Sequence, residues 1–177
     1  YLDKLGDSAG ALGEVKAALA QAPADATEAV AMLERIVADE SVAAEVRRSA
    51  LQSLKDHYTK EGRATDVVRT LDTALALAGD DERVALHKEA GQRLEGQGRN
   101  EEALAHYADA VLLAPGDAAA REKLRAFGEQ LGAVTRVVGV LTQVAEATED
   151  AKLRTALRVE SAEMLRATGD ATSATAL

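Results

Sequence analysis

Apolar side chains along this chain recur at helical spacing. Leu86, Ala90 and Leu94 stand at i, i+4 and i+8, which lines them along one stripe of a helix. The pattern predicts a helix over Val84–Gln97, closed by Gly98, whose backbone freedom suits a C-terminal stop. A second helix is expected over Glu101–Ala114. Asn100 reads as its N-cap, Glu101 and Glu102 suit the positive end of its dipole, and Ala103, Leu104, Tyr107, Ala110 and Val111 point inward. Pro115-Gly116-Asp117 ends this helix and opens the next segment. Earlier in the chain, Val30, Leu33, Ile36 and Val37 share one face of a helix over Thr27–Ala38, with Asp25-Ala26-Thr27-Glu28 as a capping box. The acidic turn Asp39-Glu40-Ser41 separates it from a long helix over Val42–Lys60. Asp80-Asp81-Glu82 and Glu149-Asp150 also precede helices, where capping accounts for them better than metal binding does.

The same pattern returns along the chain. Leu94–Gly98–Ala103, with Tyr107, Ala110 and Pro115, matches Tyr58–Gly62–Val67 with Leu71 and Ala74. Gly132–Val137–Leu141 and Leu165–Gly169–Ala174 repeat it, and Gly6–Ala11–Val15–Ala18–Pro23 matches its second half. The period is about 35 residues, the signature of stacked two-helix units. The expected units are a half unit over 1–24, an irregular helix over 25–47, units over 48–83, 84–117 and 118–152, and a truncated one over 153–177. Small residues at Ala90, Gly91 and Ala103 fall where the two helices of a hairpin cross, so alanine has a packing role there. Both ends look interrupted, which predicts a piece of a longer chain with apolar ends that neighbouring repeats would cover.

Gly91, Leu94, Gly98, Ala103, Tyr107, Ala110 and Pro115 resemble the tetratricopeptide repeat (TPR). The family pattern has a small mid-helix residue, a bulky one, a turn glycine, then Ala, an aromatic, Ala and Pro. The unit over 48–83 matches through Leu51, Leu54, Tyr58, Gly62, Leu71 and Ala74 but carries Val67 for a small residue and Gly79 for Pro. The unit over 118–152 keeps Leu124, Gly132, Leu141 and Val144. It has Gly128 where bulk is expected, with Phe127 beside it as the expected compensation. Such loose repeats among regular ones are similar to those of large bacterial TPR proteins. The resemblance implies an all-α, right-handed superhelical solenoid of antiparallel helix hairpins, lined on its concave face by the first helix of each unit. That face would carry Gln52, Asp56 and Thr59, then Lys88, Gln92 and Glu95, then Glu122, Ala126 and Glu129, then Val159, Glu163 and Arg166. The Lys/Asn carboxylate clamp of some family members is absent, because Lys88 stands alone and Asn100 is the chain's only Asn.

Composition narrows the function. The 177 residues carry 30 acidic and 21 basic side chains, a formal charge of −9, no Cys and no Trp. The hydrophobic fraction of 47% is ordinary in size, but much of it is alanine, and aromatic residues make up only 2%. That balance excludes disulfide scaffolds and thiolate metal sites, disfavours nucleic acid as a partner, and provides no apolar run long enough for membrane insertion. His57, His87 and His106 lie on three different helices, none paired at i, i+3 or i, i+4, so each is expected to be structural or solvated. No serine has a nucleophile-elbow context, and Gly96-Gln97-Gly98 lacks the setting of a phosphate cradle. The expectation is therefore a scaffold without catalytic residues, cofactor or metal, binding a protein or peptide on its concave face. Two alternatives stay open: a regulatory or targeting module of a larger enzyme, and a self-assembling repeat element joined through uncovered end repeats. No targeting segment is visible, and a cytoplasmic location is the expectation.

Overall fold

Nine helices are seen in a computed structural model that describes residues 8–21 and 26–169. They fall into two compact units, residues 1–77 and 78–177. In the first unit α1 (Ser8–Gln21), α2 (Ala26–Ala38), α3 (Ala44–Lys60) and α4 (Ala64–Leu77) pack as successive antiparallel neighbours. In the second, α5 (Asp80–Gly96), α6 (Asn100–Leu113), α7 (Ala118–Gln130), α8 (Val134–Ala147) and α9 (Ala151–Ala167) do the same, and α6 also reaches α8. The helix expected over Thr27–Ala38 corresponds to α2. Gly6, Pro23, Asp25 and Ala174, and the helical pattern expected over 171–177, lie outside the described residues.

The repeat's anchor is a backbone requirement. Gly62, Gly98, Gly132 and Gly169 have φ of 68°, 71°, 66° and 84°, the left-handed region where a side chain is strained. Three of them close a helix through the same bond. Arg63 N–H donates to Tyr58 O at 2.8 Å, Arg99 N–H to Leu94 O at 3.0 Å, and Ala133 N–H to Gly128 O at 2.7 Å. This reach back across the last turn satisfies carbonyls that would otherwise be unpaired.

Arginine performs a similar task at other helix ends. Arg47 Nε donates to Val37 O at 2.8 Å, Arg48 Nη1 to Leu77 O at 3.0 Å, and Arg154 Nη2 to Thr148 O at 2.7 Å. Each places a cation at the negative end of a neighbouring helix or of the turn that follows it. Helix starts are less uniform. Asp117 and Asp150 are side-chain N-caps, accepting from Ala120 N and from Lys152 N and Leu153 N. Asn100 is not: Arg99 occupies the N-cap of α6 without a side-chain bond, and Asn100 is the first helical residue. Arg99 instead grips Glu102 at 2.5 Å, and the helix starts one position earlier than the sequence suggests.

Each unit buries a thin seam between helices. In the second, Ala90, Gly91 and Leu94 meet Ala103, Leu104, Tyr107 and Val111, all buried. A Cβ built on Gly91 would lie 2.9 Å from Cζ of Tyr107. The glycine therefore lets the phenol ring lie flat on the helix backbone. Gly128 does the same for α8, since a Cβ there would collide with Cγ2 of Val137. Bulk expected on α7 is supplied from across the crossing by Val137. Phe127, expected to compensate, turns the other way and stacks on Tyr107 at 5.7 Å between ring centres.

Candidate interaction face

Lys88, Gln92 and Glu95 lie on α5, Glu122, Ala126 and Glu129 on α7, and Val159, Glu163 and Arg166 on α9. Charged side chains bridge these first helices pairwise. Lys88 Nζ meets the N-cap carboxylate of Asp117 at 2.5 Å, and Lys123 Nζ meets both oxygens of Glu95 at 2.9 Å. On the other side of α7, Arg121 Nε donates to both oxygens of Glu160 at 3.2 Å, and its Nη1 donates to Pro115 O. Arg125 faces Glu163 at 4.0 Å.

The rungs differ in strength. Arg121 and Glu160 keep only 12% and 18% of their side-chain surface, so water screens them least. Lys123–Glu95 and Arg125–Glu163 are more open, and exposed pairs are worth only about 0–1 kcal/mol. Asp117 gains most from its neighbours: the bond from Lys88, followed by the bond from Ala120 N–H, holds its carboxyl below the ordinary range. The rungs therefore join particular turns of α5 to α7, and of α7 to α9, without adding much stability one by one.

Tyr107 ties this face to the hairpin seam. Its hydroxyl donates to Glu95 Oε2 at 3.3 Å, and burial, followed by the charge of Glu95, pushes the phenol up to about 12. The first unit builds a parallel arrangement. Tyr58 Oη donates to Glu34 at 2.8 Å, burial and that carboxylate push the phenol up to about 12, and the Arg63 guanidinium sits 4.5 Å above the ring.

The predicted face divides accordingly. Lys88, Glu95 and Glu163 are drawn into the ladder. Gln92, Glu122, Ala126, Glu129, Val159 and Arg166 stand exposed among the rungs. On α3, in the other unit, Gln52 donates to Asp56 at 2.8 Å and Thr59 is exposed. Asp117, Arg121, Lys123, Arg125 and Glu160 complete the ladder without being predicted by the repeat pattern. The only trace of them in sequence is opposite charge recurring about one repeat apart.

Among the described residues the chain is built of helices that pack on their chain neighbours. No family model matches the chain, and no curated protein matches it. Among solved structures, it is similar to the putative kinesin light chain of Podosopora anserina with nearly identical TPR-like repeats. That likeness is 20% identity over 99% of this chain and 92% of the other, at a TM-score of 0.44. A variant of the same protein matches at 21% identity over 93% and 88%, also at 0.44. No helix among the described residues is long and apolar enough to cross a membrane.

Proposed function

We propose that this chain is a non-catalytic protein-interaction scaffold that holds a partner protein or peptide along α5, α7 and α9. The supporting observation is the ladder itself. It joins α5 to α7 and α7 to α9 and leaves Gln92, Glu122, Ala126, Glu129 and Arg166 exposed between its rungs. A surface fixed in the free state loses little conformational entropy when a partner docks. The exposed acids belong to no rung, so they can be reversed without dismantling the support.

Glu122→Lys combined with Glu129→Lys should weaken a purified partner at least tenfold, or about 1.4 kcal/mol, with an unchanged melting temperature. Glu146→Lys, on an exposed position of α8, should bind as the wild type does. A partner that binds all three forms equally well, measured by calorimetry, would place the interface elsewhere.

A further inference from the structure

A cleft of about 400 Å³ opens in the 1–77 unit between α2, the C-terminal end of α3 and the turn into α4. Its volume falls in the range of ligand sites. Ala26, Val30 and Tyr58 are buried and give it an apolar floor. Glu34 borders it from α2, and Glu61, the C-cap of α3, from the opposite wall, both exposed. Neither acid belongs to the predicted concave face. All lining residues lie in this unit, so the cleft stands independently of the face proposed on α5, α7 and α9.

The charges around the cleft leave a surplus of anion. Arg63 Nε is paired with Asp66 Oδ2 at 2.7 Å, and its guanidinium covers the Tyr58 ring. Arg69 Nη2 is shared between Asp66 Oδ1 and Glu34 Oε1, both at 3.0 Å. The Tyr58 hydroxyl donates to that same Glu34 oxygen at 2.8 Å. Both arginines are therefore committed, and Glu34 is held in place through one oxygen. Among the described residues, no donor engages Glu34 Oε2 or the Glu61 carboxylate. The C-terminal end of α3 adds the negative end of its dipole, while the positive end of α2 already carries Glu28 in its first turn.

We propose that this cleft is a docking site for an arginine side chain of a protein partner. A long basic side chain lays its methylenes on apolar surface and keeps its charge at the edge. Here the floor receives the stem, and Glu34 Oε2 and Glu61 receive the head. A guanidinium suits carboxylates best, because its planar fork presents several donors at once. An acidic side chain would meet like charge at both walls. A purely apolar one would strip water from two carboxylates without replacing its hydrogen bonds. Tyr58 and Arg69 position Glu34 beforehand, which lowers the cost of ordering it when the partner enters.

NMR titration of the full chain with the blocked tripeptide acetyl-Ala-Arg-Ala-amide tests the site. The citrulline counterpart, equal in shape but uncharged, is the comparison. The arginine peptide should give saturable shifts at Thr27, Ala31 and His57, which line the cleft. It should bind at least about threefold more tightly than the citrulline peptide, the fold-change of one exposed ion pair. Glu61→Gln has no side-chain bond to lose and should reduce that preference. Ala31→Phe, filling the cleft from the exposed side of α2, should abolish the shifts. Glu146→Gln on α8 should titrate as the wild type does. Equal binding of the two peptides overturns the site. So do arginine shifts that persist in Ala31→Phe, or that spread over the exposed acids of both units.

Discussion

Replacing Tyr107 with Ala should lower the stability of the 78–177 unit by about 3–5 kcal/mol, the usual range for deleting a buried aromatic side chain. The ring is 1% exposed and occupies three environments at once. It lies on Gly91, where no side chain could replace it without moving that helix, and stacks on Phe127 of α7. Its hydroxyl reaches Glu95 on the candidate face. Removing it empties the α5–α6 crossing and unseats Phe127 in the same step. Tyr107→Phe separates the contributions. It retains the packing and loses one long hydrogen bond, so the cost should stay near 1 kcal/mol. Urea denaturation followed by circular dichroism measures both variants. A Tyr107→Ala loss below about 1.5 kcal/mol, half the lower end of that range, would mean that the seam does not hold this hairpin together.

Gly128→Leu should be nearly as damaging, for the opposite reason. It restores the bulky residue that the family pattern expects, yet the space is already filled by Val137, whose methyl would collide with the new Cβ. Overpacking of this kind costs about 1–3 kcal/mol, occasionally more, and the upper end is expected where helix backbones set the spacing. The helix-propensity gain over glycine, about 1 kcal/mol, offsets only part of it. Val137→Ala alone should also destabilise, by leaving a void beside Gly128. The double variant Gly128→Leu/Val137→Ala recreates the bulky–small pairing that Leu94 and Ala103 make one repeat earlier. It should recover about 1.5 kcal/mol or more relative to the sum of the single changes, a coupling that a double-mutant cycle reads directly. Additive losses would show that the two positions do not share one packing site.

These two positions also mark how far the sequence can be read. Gly98 is legible as a helix stop because glycine at a positive φ is a local requirement, visible wherever the helical pattern ends. Tyr107, Ala110 and Leu94 are legible as seam residues because a spacing of three and four selects one helix face. Gly128 is not, because its meaning lies in Val137 on the next helix, and a single-helix pattern carries no information about volume across a crossing. Asn100 misleads for a related reason. Asparagine caps well in isolation, but the Arg99–Glu102 pair shifts the start of α6 by one residue. The ladder is the clearest limit. Arg121 and Glu160 are 39 residues apart, and nothing local in either helix distinguishes them from solvated charges. His87 and His106 stay separate in sequence, although their ring centres lie 5.3 Å apart, because their contact depends on the rotation of α5 against α6. The arrangement of each hairpin is thus available from periodicity, and what joins one hairpin to the next is not.

The composition follows from this arrangement. A chain with so few aromatic residues, and with alanine supplying much of its apolar content, has little bulk for one central core. Seams between neighbouring helices need less: Ala90, Gly91, Ala103 and Gly128 allow close crossing, while Leu94, Tyr107, Val137 and Leu141 fill the gaps. Charge is then left to the helix faces, where it pairs between α5, α7 and α9.

Site-specific photo-crosslinking in cells producing the full chain tests the proposed face most directly. A photoreactive amino acid at Ala126, at the exposed centre of α7, should give a discrete protein adduct that Glu122→Lys/Glu129→Lys abolishes. The same probe at Glu146 on α8 should give none. Adducts from Glu146 with none from Ala126 would contradict the assignment of α5, α7 and α9 as the binding face.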